Sequence, residues 1–209
     1  MEKRNYHKEM EKQISTLRGR RAQLLLHSCC GPCSSYVLEC LAPHFDVTIF
    51  FYNPNIYPAE EYEKRLLTQK QLVRDMTAST GFNVDFLEAS YEPTVFSCIA
   101  AELENEPEGG ARCVACISHR LEMTAKAAAE HGFEFFTTTL SVSPHKNEQL
   151  INQAGEALSK KYDSCYLFSD FKKRGGYKRS IDLSKEYNLY RQNYCGCAYS
   201  IRSAGDTNE

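Results

Sequence analysis

The chain has 209 residues, 42% of them apolar and 25% charged, with a formal net charge of −2. That length buries a core without disulfide staples. The near-neutral balance excludes a protein that is basic throughout, so any nucleic-acid contact falls to a local patch. No stretch reaches the roughly 18 to 20 apolar residues of a membrane helix. The charged segment from Met1 to Arg21 lacks the apolar centre of a signal peptide. A cytoplasmic monomer without a membrane partner is expected. Ten cysteines are many for such a chain. Where thiols are kept reduced, clustered cysteines signify metal binding or redox work, not structural disulfides.

In chain order, residues 9–17 read as a short helix, followed by basic Arg18, Arg20 and Arg21. Residues 23–27 (QLLLH) form a short apolar run that ends in Ser-Cys-Cys-Gly-Pro, a buried strand ending at a turn. Pro32 suits the first turn of a helix running to about Leu41. The β-branched and aromatic run at 47–52 predicts a second strand, stopped by Asn53-Pro54-Asn55. Pro58 opens a helix over 59–79, with Glu60, Glu61 and Glu63 at its positive end. A third strand is expected at 84–87. Helices follow at 93–104 and 113–131, separated by an acidic loop. A fourth strand lies at 133–138, a helix at 147–161, a fifth strand at 165–168 and a last helix over 180–187. Strands alternating with helices imply an α/β fold: a Rossmann-like parallel sheet with helices on both faces. Residues 1–21 read as an N-terminal helical extension and 22–209 as one α/β domain. Ligands of such sheets bind outside the carboxyl ends of the strands, where the turns carrying Cys29 and Cys30 fall, with those near Ser141, His145 and Asp170.

Three cysteine groups stand out: Cys29, Cys30 and Cys33; Cys113 and Cys116; Cys195 and Cys197. Cys40, Cys98 and Cys165 are isolated in apolar surroundings and read as buried packing. A Cys-x-x-Cys pair presents two thiolates to one metal from a single turn, and a second group completes the shell. Cys113 and Cys116 sit at an expected helix start beside Arg112, where free N–H groups favour thiolates. Spacing alone is compatible with zinc. Seven clustered cysteines exceed the four ligands of one zinc, and adjacent Cys29 and Cys30 suit separate irons better than a zinc knuckle. Cys195 and Cys197 are close enough in sequence for a strained, labile disulfide, or they are two more ligands.

The segments HSCCGPCSSYV (27–37), FFYNPNIYPAEEYEKR (50–65), RCVACISHRLE (112–122), TTLSVSPHKNEQLI (138–151), SDFKKRGGYKRS (169–180) and YRQNYCGCAYS (190–200) resemble the cobalamin-independent epoxyqueuosine reductases of the QueH type. The resemblance runs from about Leu24 to Ile201. It implies an oxidoreductase that converts epoxyqueuosine to queuosine at the wobble position of tRNA, on a nucleotide α-hydrolase (HUP-like) fold. It implies a [4Fe-4S] cluster held by Cys29, Cys30, Cys113 and Cys116, with Cys195 and Cys197 as a redox-active pair. An additional iron is implied beside the cluster, with Cys33 placed to contribute, although some members carry aspartate there. Asp170 is a candidate second ligand or proton donor, with His145 and Tyr194 as other candidate donors. An electron donor is implied but not identified.

The expected tRNA contact is the basic segment of Lys172, Lys173, Arg174, Tyr177, Lys178 and Arg179, read as a flexible loop at the active edge. Lys and Arg there would meet phosphates and Tyr177 an unpaired base. Asn53 and Asn55 read as turn residues, and His27 as a satisfied core histidine. Competing readings are a tRNA sulfur-transfer enzyme, a heterodisulfide-reductase-like iron–sulfur protein and a zinc-binding RNA module. The first lacks support, because Cys-Cys-Gly-Pro-Cys stands where its phosphate-binding loop would be.

Overall fold

The computed structural model describes residues 4–201. Its elements are α1 (Tyr6–Thr16), β1 (Ala22–His27), α2 (Gly31–Leu41), β2 (Phe45–Phe51), α3 (Ala59–Thr80), β3 (Val84–Glu88), α4 (Pro93–Ala100), α5 (Ala111–Glu130), β4 (Phe135–Thr138), α6 (Glu148–Lys161), β5 (Cys165–Tyr166) and α7 (Gly176–Glu186). The five strands are parallel in the order β3-β2-β1-β4-β5. β1 is central, with Leu24 paired to Val47 on one side and to Phe135 on the other. This is the expected Rossmann-like α/β architecture.

Neighbouring leucines of β1 serve opposite faces, because side chains alternate along a strand. Leu24 and Leu26 join Val37, Leu38, Leu41 and Leu72 in the core beneath α2 and α3. Leu25 joins Leu121, Ala125, Phe136 and Ile151 in the core beneath α5 and α6. Burial on both faces explains why β1 reads as a continuous apolar run.

Helix α1 shares the first of these cores through Met10 and Leu17. Its Gln13 also completes the sheet edge: Nε2 donates to the Tyr166 carbonyl at 2.9 Å, and Oε1 accepts from Phe168 N at 2.9 Å. These bonds occupy backbone groups that a two-residue strand leaves open. β5 is therefore shorter than expected, its continuation being held by a helix side chain.

Other boundaries move for local reasons. The fourth strand ends at Thr138, where a 3₁₀ turn over Thr139–Val142 begins. Helix α4 stops at Ala100, two residues before left-handed Glu102, well short of residue 104. The basic segment is not a loop. Residues Lys173–Gly175 form a 3₁₀ turn and α7 starts at Gly176. Gly176 permits this, because a Cβ there would fall 1.9 Å from the Phe171 carbonyl and 2.3 Å from the Tyr36 ring.

His27 is fully buried in the register pair with Thr138. Nδ1 lies 2.8 Å from Thr138 Oγ1 and Nε2 lies 3.1 Å from the Tyr52 carbonyl. Nε2 therefore carries the proton and Nδ1 accepts from the threonine hydroxyl. Burial, aided by the charge of Arg120, lowers the ring pKa from 6.5 to about 3. The folded chain refuses a proton that the unfolded chain accepts below pH 6.5, so stability is full above that value and declines toward about pH 3. Between pH 6.5 and 4 this loss should reach about 2–3 kcal/mol in urea unfolding. His27→Asn should lose correspondingly less over that interval, and equal pH slopes for the two proteins would contradict this account.

Candidate metal and redox centre

β1 hands the chain to α2 through Ser28, Cys29 and Cys30. Cys30 is the N-cap of α2 in extended conformation, and Pro32 occupies the first turn, where its missing N–H costs nothing. Gly31 lies against α3, since a Cβ would be 3.0 Å from Thr68 Cγ2 and 3.2 Å from the Thr68 carbonyl. The buried hydroxyls of Ser28 and Ser34 meet at 2.6 Å and both meet Gln69 Oε1, pinning the turn. The Sγ atoms of Cys29, Cys30 and Cys33 all lie within 4.8 Å of one another, close enough to hold one metal ion. Cys29 and Cys30 are 3.8 Å apart, and Gln192 Nε2 donates to Cys30 Sγ at 2.9 Å. The three sulfurs share one ionisation. Hydrogen bonds from Cys30 and Cys33 draw the Cys29 thiol well below its ordinary value. The same bonds push Cys30 up to about 12 and Cys33 well up.

The second group opens α5. Cys113 accepts from Gly109 N at 3.3 Å. Arg112 is buried and donates to the carbonyls of Leu103 and Glu104, which fastens the acidic loop to the helix start. Burial pushes the Cys116 thiol up. One turn on, Arg120 is buried; its Nε reaches the Cys116 carbonyl at 3.4 Å and its Nη1 reaches Asn53 Oδ1 at 3.5 Å. Asn53 Nδ2 in turn donates to the Ser28 carbonyl at 2.8 Å. These contacts tie the start of α5 to the end of β1. Arg120 lies within electrostatic reach of Cys29, Cys116 and Cys195 together.

The third group has no regular element and is held by side chains from elsewhere. Arg65, buried in α3, donates to the Cys195 carbonyl at 3.0 Å and the Tyr194 carbonyl at 3.3 Å, and Nε pairs with Glu61 at 2.6 Å. Tyr57 N donates to the Gly196 carbonyl at 2.8 Å. Gly196 has φ 130°, and a Cβ there would lie 3.0 Å from Arg65 Nη1, so glycine is required. Cys113, Cys116, Cys195 and Cys197 line one small cavity of about 20 Å³, together with Arg120, Lys146 and Asn55. Lys146 Nζ lies 3.2 Å from Cys195 Sγ. Burial works against the Lys146 charge, but the facing Cys195 sulfur outweighs it and raises the amine's pKa. Asn55 Oδ1 is buried without a hydrogen-bond partner. Cys195 and Cys197 are both free thiols.

The remaining sequence candidates are placed differently. Asp170 is buried and paired with Lys172 Nζ at 3.4 Å. His145 is exposed, and the Tyr194 hydroxyl donates to the Tyr57 carbonyl at 2.7 Å. None of the three is among the cavity-lining residues. Asn53 does structural work, as expected, and Asn55 reaches the cavity. Of the basic segment, Lys172 also pairs with Glu148, Arg174 with Glu11 and Arg179 with Glu39, while Lys173, Tyr177 and Lys178 are exposed. Cys98 and Cys165 are exposed and Cys40 half-buried, against the expectation of buried packing. Cys98 faces away from the inward Phe96 and Ala100 of short α4, and Cys165 lies on the edge strand.

Sequence reasoning missed Lys146, Arg120, Arg65 and Gln192. One signal was present: Arg120 follows Cys113 and Cys116 at i+7 and i+4, so all three share a helix face. Lys146 adjoins His145, one of the candidate donors, and nothing in the local sequence distinguishes which of the two turns inward.

The strand order and the thiols at its carboxyl edge define a Rossmann-like α/β protein with a polythiol centre where related folds bind phosphate. The family model described as epoxyqueuosine reductase QueH matches residues 24–203, and the chain belongs to that family of reductases. It is 48% identical to the epoxyqueuosine reductase QueH of Staphylococcus epidermidis over 98% of this chain and 87% of the relative. It is 47% identical to that of Streptococcus pyogenes over 88% and 72%, and 39% identical to that of Thermotoga maritima over 85% and 90%. Among the described residues no helix is long and apolar enough to cross a membrane.

Arg65→Met should remove the clamp on residues 194–197, leaving two carbonyls unpaired and Glu61 with the Tyr190 hydroxyl but no cation. A loss of about 3–5 kcal/mol in urea unfolding is expected, with Arg65→Lys intermediate because an ammonium lacks the fork. Faster amide exchange confined to residues 194–201 in Arg65→Lys would report the clamp directly, and unchanged exchange would remove it.

Proposed function

We propose that this chain reduces the epoxide of epoxyqueuosine in tRNA to the alkene of queuosine, using a [4Fe-4S] cluster. Cys29, Cys30, Cys113 and Cys116 would hold the cluster, and Cys195 and Cys197 would be the dithiol that supplies two electrons. The observation that carries this reading is the placing of two thiol groups at the carboxyl edge, Cys29, Cys30 and Cys33 in one and Cys113, Cys116, Cys195 and Cys197 in the other, with buried Arg120 within electrostatic reach of both. An all-sulfur donor set is the one that iron–sulfur clusters take. Arg120 and Lys146 offset the negative charge that thiolates and inorganic sulfide bring. Unpartnered Asn55 Oδ1 and Gln192 Oε1 mark polar positions left open beside the sulfurs. Cys33 completes the first thiol group and would serve an additional iron.

When bound, such a cluster supplies one-electron transfer and a Lewis-acidic iron. The chain's residues supply the rest. Epoxide to alkene consumes two electrons and two protons and releases water, which balances closure of one dithiol to a disulfide. Lys146 and four cysteines line the cavity beside Arg112 and Arg120. Phe96 and Ile117 form the apolar part of its wall. For the tRNA, Lys173, Lys178 and Tyr177 are the exposed members of the basic segment. Arg174 and Arg179 carry surface ion pairs that are weak enough to exchange for phosphate. Lys172, paired with Asp170 and Glu148, is the least available of the set.

Protein purified and reconstituted without oxygen should contain about four irons and four sulfides per chain, with absorbance that dithionite bleaches. Cys113→Ser and Cys116→Ser should lose most of that iron, whereas Cys40→Ser and Cys165→Ser should not. Cys195→Ser should keep the cluster yet fail to convert epoxyqueuosine tRNA over many turnovers, followed by nucleoside mass spectrometry. Stable zinc without such absorbance would overturn the cluster, and full turnover by Cys195→Ser would overturn the dithiol. Affinity for tRNA should fall at least tenfold between 50 and 200 mM salt, and a flat response would remove the basic segment as the contact.

A further inference from the structure

Tyr57, Val114, Tyr199 and Ile201 are large, exposed and carried by segments that line or adjoin the cavity. Exposed apolar side chains gathered about an opening mark a binding surface, whereas scattered ones are ordinary. Tyr57 is 55% exposed, and the hydrogen bonds that hold it use its main chain. Its N–H donates to the Gly196 carbonyl at 2.8 Å, and its carbonyl accepts from the Tyr194 hydroxyl at 2.7 Å. Gly196 stands between cavity-lining Cys195 and Cys197, and Asn55, two residues before Tyr57, lines the same wall. Tyr199 is 44% exposed and sits in the 3₁₀ turn Ala198–Ser200 that follows Cys197. The Arg112 guanidinium lies over its ring at 4.3 Å, and the Phe96 ring meets it at a tilt, with centroids 6.3 Å apart. Arg112 and Phe96 are themselves cavity-lining residues, and Arg112 is fixed by the carbonyls of Leu103 and Glu104. Each tyrosine is anchored while its ring stays open to solvent, so little ordering is left to do on binding.

We propose that Tyr57 and Tyr199 are stacking platforms for unpaired RNA bases, those of the nucleotides on either side of the one presented to the thiol centre. The proposal rests on the reading of an anticodon nucleoside as the substrate. Drawing one nucleotide of a loop toward the sulfurs takes its neighbours out of their own stack, which costs stacking energy. A tyrosine face on each side returns that energy, and it does so for any base, since every base has a π-face. Arg112 occupies one face of the Tyr199 ring and leaves the other for a base. The surroundings suit a polyanion. Arg112, Arg120 and Lys146 line the cavity, and Lys173 and Lys178 are exposed at the same carboxyl edge of the sheet. The platforms set affinity and register without reading sequence.

The test measures the affinity of the reconstituted protein for an anticodon stem-loop RNA, either intact or with an abasic nucleotide on the 5′ or 3′ side of the target. Tyr57→Ala and Tyr199→Ala should each weaken binding of the intact RNA about tenfold. Tyr57→Phe and Tyr199→Phe, which keep the ring, should bind as the parent does. Each alanine variant should be insensitive to one abasic position, because that contact is already gone, and fully sensitive to the other. The slope of affinity against salt should be the same in every variant, since stacking releases no counterions. Iron content should match the parent's, which separates a lost platform from a lost centre. Parent-like affinity of either alanine variant, or alanine and abasic losses that add in full at both positions, overturns the proposal. So does a dimer in sedimentation that Tyr199→Ala dissolves, which assigns the surface to a second copy of the chain. A parent without affinity for the stem-loop overturns the RNA reading itself, and the stacking proposal with it.

Discussion

The centre depends on where the chain divides at β1. From the carboxyl end of that strand the chain departs to β2 on one side, and β4 later packs on the other. Connections leaving in opposite directions open a crevice above the sheet. Ser28, Cys29 and Cys30 fall in it, and the ends of β2 and β4 flank it with Asn53 and Thr139. The His27–Thr138 and Asn53–Ser28 hydrogen bonds lock the three strand ends together. The crevice is therefore a rigid floor, and thiols from distant segments are brought to it.

Bringing them there creates an electrostatic difficulty. Several sulfurs in a buried space cannot all ionise, and the first three show it, with one drawn toward thiolate and two held protonated. The fold answers with cations drawn in beside them, two fully buried and one partly so. Arg120, Arg65 and Lys146 come from α5, α3 and the turn before α6, and none lies within a cysteine motif. Each is costly to bury alone, and each is held by carbonyls, a carboxylate or sulfur. Charge and countercharge stabilise one another, and the polythiol centre and its cationic frame form a single unit.

The same economy appears at the surface. The segment after β5 has the composition of a nucleic-acid contact, but the fold uses part of it for itself. Lys172 anchors the turn that carries Lys146, while Lys173, Tyr177 and Lys178 project from a 3₁₀ turn and the first turn of α7. A helical frame fixes the spacing of those groups as a loop would not.

Periodicity and punctuation in the sequence determined the parallel α/β fold, because strands covered on both faces are continuously apolar and helices between them carry a 3.6-residue pattern. The cysteine spacing determined that a thiol centre exists, since its ligands are near neighbours in sequence. Tertiary structure alone decided which charges face those thiols. It turned Lys146 inward and left His145 outside, paired Asp170 with Lys172, and set Arg65 of α3 on a loop about 130 residues away. Such contacts join segments that only the folded sheet brings together, and no local pattern encodes them.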